Sequence, residues 1–312
     1  MSNYLVTGGA GFIGSNIVEE LVNSGEEVTV LDNLSTGYKK NIEPFLDKIN
    51  FIQGDIRDIE SVKKSLKDVD YVLHQAAMAS VPRSIDNPIL VNDVNINGTL
   101  NILEEARKAK VKCFVYAASS SAYGDSEVSP KREDLTPSPL SPYAVSKLVG
   151  EYYCSVYSTI FGLPTVSLRY FNVFGPRQDP NSQYAAVVPI FISKLLNNKK
   201  PEIFGDGNQS RDFTYVKNVV KANILASKSA ETASGEMANV ACGDKCTVND
   251  LFRNISNYIG SDIEPVYSPP RAGDVKHSLA DISKAKDIIN YSVEESFEES
   301  IRKTVDWYKR KI

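Results

Sequence analysis

Apolar runs and amphipathic stretches alternate along the first half of this 312-residue chain. Short apolar runs at residues 4–7, 27–32, 50–53, 70–74, 113–118 and 165–169 read as strands, and residues 13–24, 58–66, 88–108 and 141–161 between them read as helices. Alternation of this kind implies a parallel sheet with helices on both faces. Right-handed crossovers make such a sheet doubly wound, with ligands at the carboxyl ends of its strands. After about residue 171 the pattern changes. Turn clusters become dense, as in Gly175-Pro176, Asp179-Pro180-Asn181, Gly205-Asp206-Gly207-Asn208 and Ser268-Pro269-Pro270. Helical pieces remain at 187–197, 216–229, 248–260, 282–289 and 293–310. We expect a nucleotide-binding sheet over residues 1–171 and a smaller mixed α/β substrate-binding region over 172–312 that closes on it. A strand near 236–240 should return to the main sheet, so the division is not a clean cut in sequence.

The first strand runs into Thr7-Gly8-Gly9-Ala10-Gly11-Phe12-Ile13-Gly14-Ser15 and then into an amphipathic segment. Strand, glycine turn and helix form the context in which such a motif carries weight. Gly8 and Gly11 let backbone N–H groups approach a pyrophosphate, and Gly14 lets the helix pack closely on the strand. The helix N-terminus adds partial positive charge. The second strand ends in Asp32, placed to hold adenosine ribose hydroxyls and to repel a 2′-phosphate, so the cofactor read is NAD rather than NADP. The fold class is therefore α/β, a Rossmann-type doubly wound parallel sheet.

Charge and cysteine content narrow the partners. A net charge of −4 with 24% charged residues advertises no polyanion-binding surface, so nucleic acid is not an expected partner. Cys113, Cys154, Cys242 and Cys246 have no histidine nearby, His74 and His277 being the only two. Free thiols in a reducing compartment fit better than a metal site. The N-terminus has no leader-like apolar region, and no segment approaches a membrane span. A cytoplasmic location is the expectation.

Tyr143 and Lys147 stand four apart after Ser141-Pro142, a cap and a first-turn proline. Helical spacing puts both on one face. A neighbouring ammonium and a cationic nicotinamide would both lower the phenol's pKa, so the tyrosine could take a proton from a substrate hydroxyl. The strand 113–118 ends in Ser119-Ser120-Ser121-Ala122-Tyr123-Gly124-Asp125. A hydroxyl there could bridge substrate and tyrosine; a plain serine-rich turn is the other reading. Taken alone, Tyr-x-x-x-Lys is common on surface helices.

The combination of the glycine turn, Asp32-Asn33, Gly54-Asp55-Ile56-Arg57, the serine run, Tyr143 with Lys147, and Arg169-Tyr170-Phe171-Asn172-Val173 resembles the extended short-chain dehydrogenase/reductase family. Within it the chain looks like a UDP-sugar 4-epimerase. His74-Gln75-Ala76-Ala77, Ser80-Val81-Pro82-Arg83-Ser84, Tyr184-Ala185-Ala186-Val187-Val188-Pro189 and Arg271-Ala272-Gly273-Asp274 are similar to the UDP-N-acetylglucosamine branch. The resemblance implies Ser119, Tyr143 and Lys147 as catalytic. It implies a cofactor set of Gly8, Gly11, Phe12, Ile13, Gly14, Asp32, Asn33, Ser35, Thr36, Gly37, Asp55, Ile56, Gln75, Ala76, Ala77, Asn95, Tyr143, Lys147, Tyr170 and Val173. For the sugar nucleotide it implies Ser80, Ser119, Ser120, Tyr143, Asn172, Ala186, Val187, Ile203, Arg211, Arg271, Asp274 and Ser278. Arg211 and Arg271 would neutralise the diphosphate, a task suited to planar guanidinium forks; surface ion pairs are their bland alternative.

The chemistry implied is inversion at C4 of a UDP-hexose through a 4-keto sugar, with NAD held tightly. Ser278 matches a position where the family carries either tyrosine or a small residue, and a small one leaves room for an N-acetyl group. Ser120-Ser121 replace the acidic pair of related dehydratases, which disfavours loss of water. A homodimer through the helices at 88–108 and 141–161 is implied, although their apolar periodicity fits an internal core equally well. A UDP-glucuronate epimerase or decarboxylase, a dehydratase, and a non-catalytic dinucleotide sensor are the competing readings.

Overall fold

A computed structural model describes residues 1–180, 186–270 and 277–311. The first half runs β1 (Asn3–Thr7), α1 (Phe12–Asn23), β2 (Glu27–Asp32), β3 (Ile49–Gln53), α2 (Ile59–Ser65), β4 (Tyr71–His74), α3 (Val81–Asp86), α4 (Pro88–Asn92), a π turn (Asp93–Gly98), α5 (Thr99–Ala109), β5 (Cys113–Ser119), α6 (Pro142–Phe161) and β6 (Thr165–Tyr170). The second half adds β7 (Val173–Phe174), α7 (Val187–Leu196), β8 (Glu202–Phe204), β9 (Ser210–Arg211), β10 (Thr214–Tyr215), α8 (Val216–Lys228), α9 (Ala230–Ala233), β11 (Glu236–Val240), β12 (Cys246–Thr247), α10 (Val248–Ile259), β13 (Val266–Ser268), α11 (Ser283–Ile289) and α12 (Phe297–Lys309).

Seven parallel strands form one sheet in the order β11-β6-β5-β4-β1-β2-β3. The strand at 236–240 does return, pairing Glu236 with Val166 and Val240 with Tyr170. Chain order reverses between β1 and β4, so a crevice opens there at the carboxyl ends. Alternating side chains bury both faces, as a parallel sheet requires. Tyr4, Val6, Val30 and Val115 face the layer containing Ile17 of α1 and Val219 of α8. Leu5, Leu31, Val72 and Phe114 face Val62 of α2 and Ile102 of α5.

Local chemistry explains most boundaries. Ser141 Oγ accepts the Ala144 N–H at 3.1 Å and Pro142 opens α6. Three departures from the sequence reading are physical. The stretch 88–108 is not one helix but α4, a π turn and α5; at Gly98 a Cβ would press on Ile56 at 2.6 Å, so the helix lies directly against that side chain. A short helix, α3, is absent from the sequence reading, though Ser80 caps it by accepting the Arg83 N–H at 3.2 Å and a proline stands in its first turn. The last helix begins at Phe297 rather than 293, because Ser296 caps it through the Glu299 N–H. The later region supplies three two-stranded ladders, β10-β7, β12-β9 and β13-β8. Among the described residues, no helix is long and apolar enough to cross a membrane.

Candidate active site

The crevice at the reversal of the sheet is a cleft of about 570 Å³. Its walls include Gly8, Gly11, Phe12, Ile13 and Gly14 from the glycine turn, Asp32, Asn33, Ser35, Thr36 and Gly37 after β2, and Ile56 after β3. Gln75, Ala76 and Ala77 after β4, Tyr143 and Lys147 of α6, and Tyr170 of β6 complete it, with Ala186 at its edge.

The glycine turn has the shape a dinucleotide needs. Gly8 takes φ +68°, and a Cβ there would sit 2.8 Å from the Ala76 backbone, so the two cleft walls approach as closely as bare backbone allows. Gly11 caps α1 without any side-chain hydrogen bond and no acidic residue occupies the first turn, leaving the helix end suited to phosphate oxygens. Asp32 is buried, and its carboxylate accepts the N–H groups of Ala10 at 2.9 Å and Leu34 at 2.8 Å. Burial raises its pKa against those two hydrogen bonds.

Ser119 ends β5, and its hydroxyl favours the ionised form of the Tyr143 phenol; Ser121 donates to Ser119 Oγ through both its N–H at 3.2 Å and its hydroxyl at 2.9 Å. Lys147 Nζ donates to the Ala117 carbonyl at 2.6 Å and lies 4.8 Å over the Tyr116 ring. Burial pushes the Lys147 ammonium down to about 8. The Tyr143 phenol is raised, because burial outweighs the Ser119 hydroxyl. Without the cationic nicotinamide that the sequence reading invoked, the protein alone favours the neutral phenol, since desolvation disfavours phenolate.

A second pocket of about 280 Å³ adjoins the cleft and shares Ala186 with it. Asn172, Val187, Ile203 and Arg211 line it, with Phe204, Gln209 and Phe213. Asn172 adopts φ +33° and donates to the Asp212 carbonyl at 3.1 Å. Ser278 binds this region through its N–H, which donates to the Ser210 carbonyl at 3.0 Å. Arg271 and Asp274, like Tyr184 and Ala185, lie outside the described residues.

Several residues of the expected sets line the other pocket or neither of the two. Val173 lines the second pocket rather than the cofactor cleft. Asn95 is buried, its amide taken by Met78 and Ser146, so it braces the cleft wall instead of lining it. Asp55 is gripped by Arg57, at 2.8 and 3.0 Å, and accepts from Asn33 at 2.8 Å. The guanidinium holds that carboxyl well below the usual range. Ser80 caps α3, and Ser120 begins the single turn after β5. The sequence reading missed Arg57, Leu90, Val94, Gln178 and Asp179 as cleft residues. Arg57 stood within a quoted motif; Gln178 and Asp179 come from a distant loop, tied across the cleft mouth by Tyr38 Oη donating to Asp179 at 2.7 Å.

The profile of the NAD dependent epimerase/dehydratase family matches residues 4–241. The chain belongs to that family. Its cofactor is NAD, which the glycine turn and Asp32 suit. A family member described as a putative UDP-glucose 4-epimerase, from Methanocaldococcus jannaschii, is 45% identical over 98% of both chains. A solved UDP-N-acetylglucosamine 4-epimerase from Methanobrevibacter ruminantium, in complex with UDP-N-acetylmuramic acid, superposes with a TM-score of 0.95 at 45% identity, covering 100% of this chain and 99% of that one. The Thermus thermophilus UDP-glucose 4-epimerase, in complex with NAD, gives a TM-score of 0.89 at 38% identity over 99% and 100% of the two chains.

Proposed function

We propose that the chain is a UDP-hexose 4-epimerase that interconverts UDP-glucose with UDP-galactose and UDP-N-acetylglucosamine with UDP-N-acetylgalactosamine. One observation carries this reading. The cofactor cleft holds Tyr143 and Lys147 and shares Ala186 with the pocket containing Asn172 and Arg211, so a dinucleotide and a sugar nucleotide would meet at the phenol. Residues 1–171 with β11 would then serve mainly the cofactor, and 172–312 mainly the sugar nucleotide.

When bound, NAD supplies a hydride acceptor and donor. Tyr143 removes the C4 hydroxyl proton, with Ser119 holding substrate oxygen and phenol in line. Lys147 favours the phenolate by its charge. The 4-keto sugar then turns, and Tyr143 returns the proton after reduction on the opposite face. Arg211 and Arg271 would anchor the diphosphate while the hexose stays free to rotate, so remote binding energy retains the intermediate. Ser278, being small, leaves space beside C2 for an N-acetyl group.

Incubation with UDP-galactose and, separately, UDP-N-acetylgalactosamine without added cofactor should give the C4-inverted sugar in both. Failure of both rejects the reading, and stoichiometric consumption of added NAD would indicate net oxidation instead. Ser278→Tyr should suppress turnover of the N-acetylated substrate selectively; unchanged turnover removes the specificity argument.

A further inference from the structure

Beneath the cofactor cleft runs a buried chain of hydrogen bonds that the proposed chemistry does not use. The Ala76 N–H donates to Thr7 Oγ1 at 3.2 Å, and Thr7 Oγ1 lies 2.7 Å from His74 Nδ1. His74 Nε2 lies 3.0 Å from Thr99 Oγ1, which donates to the Asn95 carbonyl at 2.6 Å. That acceptor is the Asn95 backbone carbonyl; the side-chain amide of the same residue accepts the Met78 N–H at 2.8 Å and donates to Ser146 Oγ at 2.9 Å, and Ser146 donates to the Tyr143 carbonyl at 2.8 Å. Thr7, His74, Asn95, Thr99 and Ser146 are all 1% exposed or less.

Proton counting gives this chain one direction. A carbonyl can only accept, so the single Thr99 hydroxyl proton goes to Asn95. Thr99 must therefore accept from His74, which places the imidazole proton on Nε2. His74 Nδ1 is left as an acceptor, and the Thr7 hydroxyl proton fills it. The four bonds from the Ala76 N–H to the Asn95 backbone carbonyl then all point from the cleft wall toward the π turn, the arrangement in which successive hydrogen bonds polarise one another. A charged imidazole would be disfavoured twice. The ring is wholly buried, and the Lys147 ammonium, on the Tyr116 ring that His74 also stacks against, repels a second positive charge.

We propose that His74, held as its Nε2–H tautomer, is a positioning residue that ties the Ala76 wall of the cofactor cleft to the π turn and, through Asn95 and Ser146, to the helical turn carrying Tyr143. The proposal rests on Tyr143 being the proton-transfer group. Thr99→Val keeps the shape of the side chain and deletes the hydroxyl; Thr99→Ser keeps the hydroxyl. In the NAD-loaded protein, Thr99→Val should lower kcat roughly ten- to a hundredfold, the scale of a small misplacement of reacting groups, with KM for the sugar nucleotide unchanged. Thr99→Ser should keep the wild-type kcat, and Thr99→Val should lose bound NAD faster on gel filtration. With two histidines in the chain, ¹⁵N spectra should assign His74 as protonated on Nε2 and bare on Nδ1 from about pH 5 to 8, where an ordinary histidine titrates. Wild-type kcat and NAD retention in Thr99→Val, equal losses in the serine and valine variants, or a proton on Nδ1 would each overturn the relay. If the wild-type protein itself turns over no sugar nucleotide, the Tyr143 reading fails, and NAD retention and the ¹⁵N spectrum still judge the relay.

Discussion

At Tyr143 and Lys147 burial acts on two groups of opposite charge type, and it disfavours the charged form of both. The ammonium, lowered to about 8 from 10.5, loses its proton as pH rises past that value. Turnover should therefore decline on the alkaline side of about pH 8, which a kcat profile would show. Tyr143→Phe should lower kcat by roughly 10²–10⁴, the usual worth of a positioned acid–base group, while leaving the fold intact by circular dichroism. His74 tests the same physics through stability. Burial lowers its pKa from 6.5 to about 3, so the folded state binds fewer protons than the unfolded chain between those values. Its contribution is constant above pH 6.5 and stability is lost as pH falls from 6.5 toward 3. Denaturant midpoints of His74→Phe should depend less on pH in that window than those of the wild type.

Two elements set the catalytic geometry. Helix α1 lies against the glycine turn so closely that a Cβ at Gly14 would strike the Gly8 carbonyl. Gly14→Ala should displace the helix end from the phosphate position and reduce NAD retained through gel filtration. Helix α6 is fastened to β6 by Glu151 and Arg169, a two-pronged pair at 2.7 and 2.9 Å with side chains 4% and 0% exposed. The Arg169 guanidinium also lies 4.6 Å over the Tyr123 ring. Removing one partner leaves the other charge buried and alone, which costs about 3–5 kcal/mol. Glu151→Ala should lower the unfolding free energy by that amount in urea titration.

Among the described residues, α6 and α4 carry an apolar face that a single chain leaves exposed. Val145, Tyr152, Val156 and Ile160 recur along one side of α6 and are 44–69% exposed, and Ile89 of α4 is 82% exposed. We propose that this apolar stripe is an association surface, where the resemblance implies a homodimer through the helices at 88–108 and 141–161. Tyr152→Glu combined with Ile160→Glu should convert a dimer to monomer by light scattering; an unchanged mass would place the contact elsewhere.

Periodicity and capping are local properties, so the chain's own order of residues was enough to locate the glycine turn, Asp32, the parallel strands to within about one residue, and Tyr143 beside Lys147 on one helix. Partners and burial are not local. The amide of Asn95 is claimed by Met78 and by Ser146, 17 and 51 residues away, and the Gln178–Asp179 wall comes from a loop that meets Tyr38 across 141 residues. The π turn packs closely on Ile56, and partial burial at the cleft wall raises the Tyr143 phenol. Which group lines the cleft, which braces it, and which form of each the interior prefers depend on desolvation and hydrogen-bond competition among segments that meet only in the folded chain.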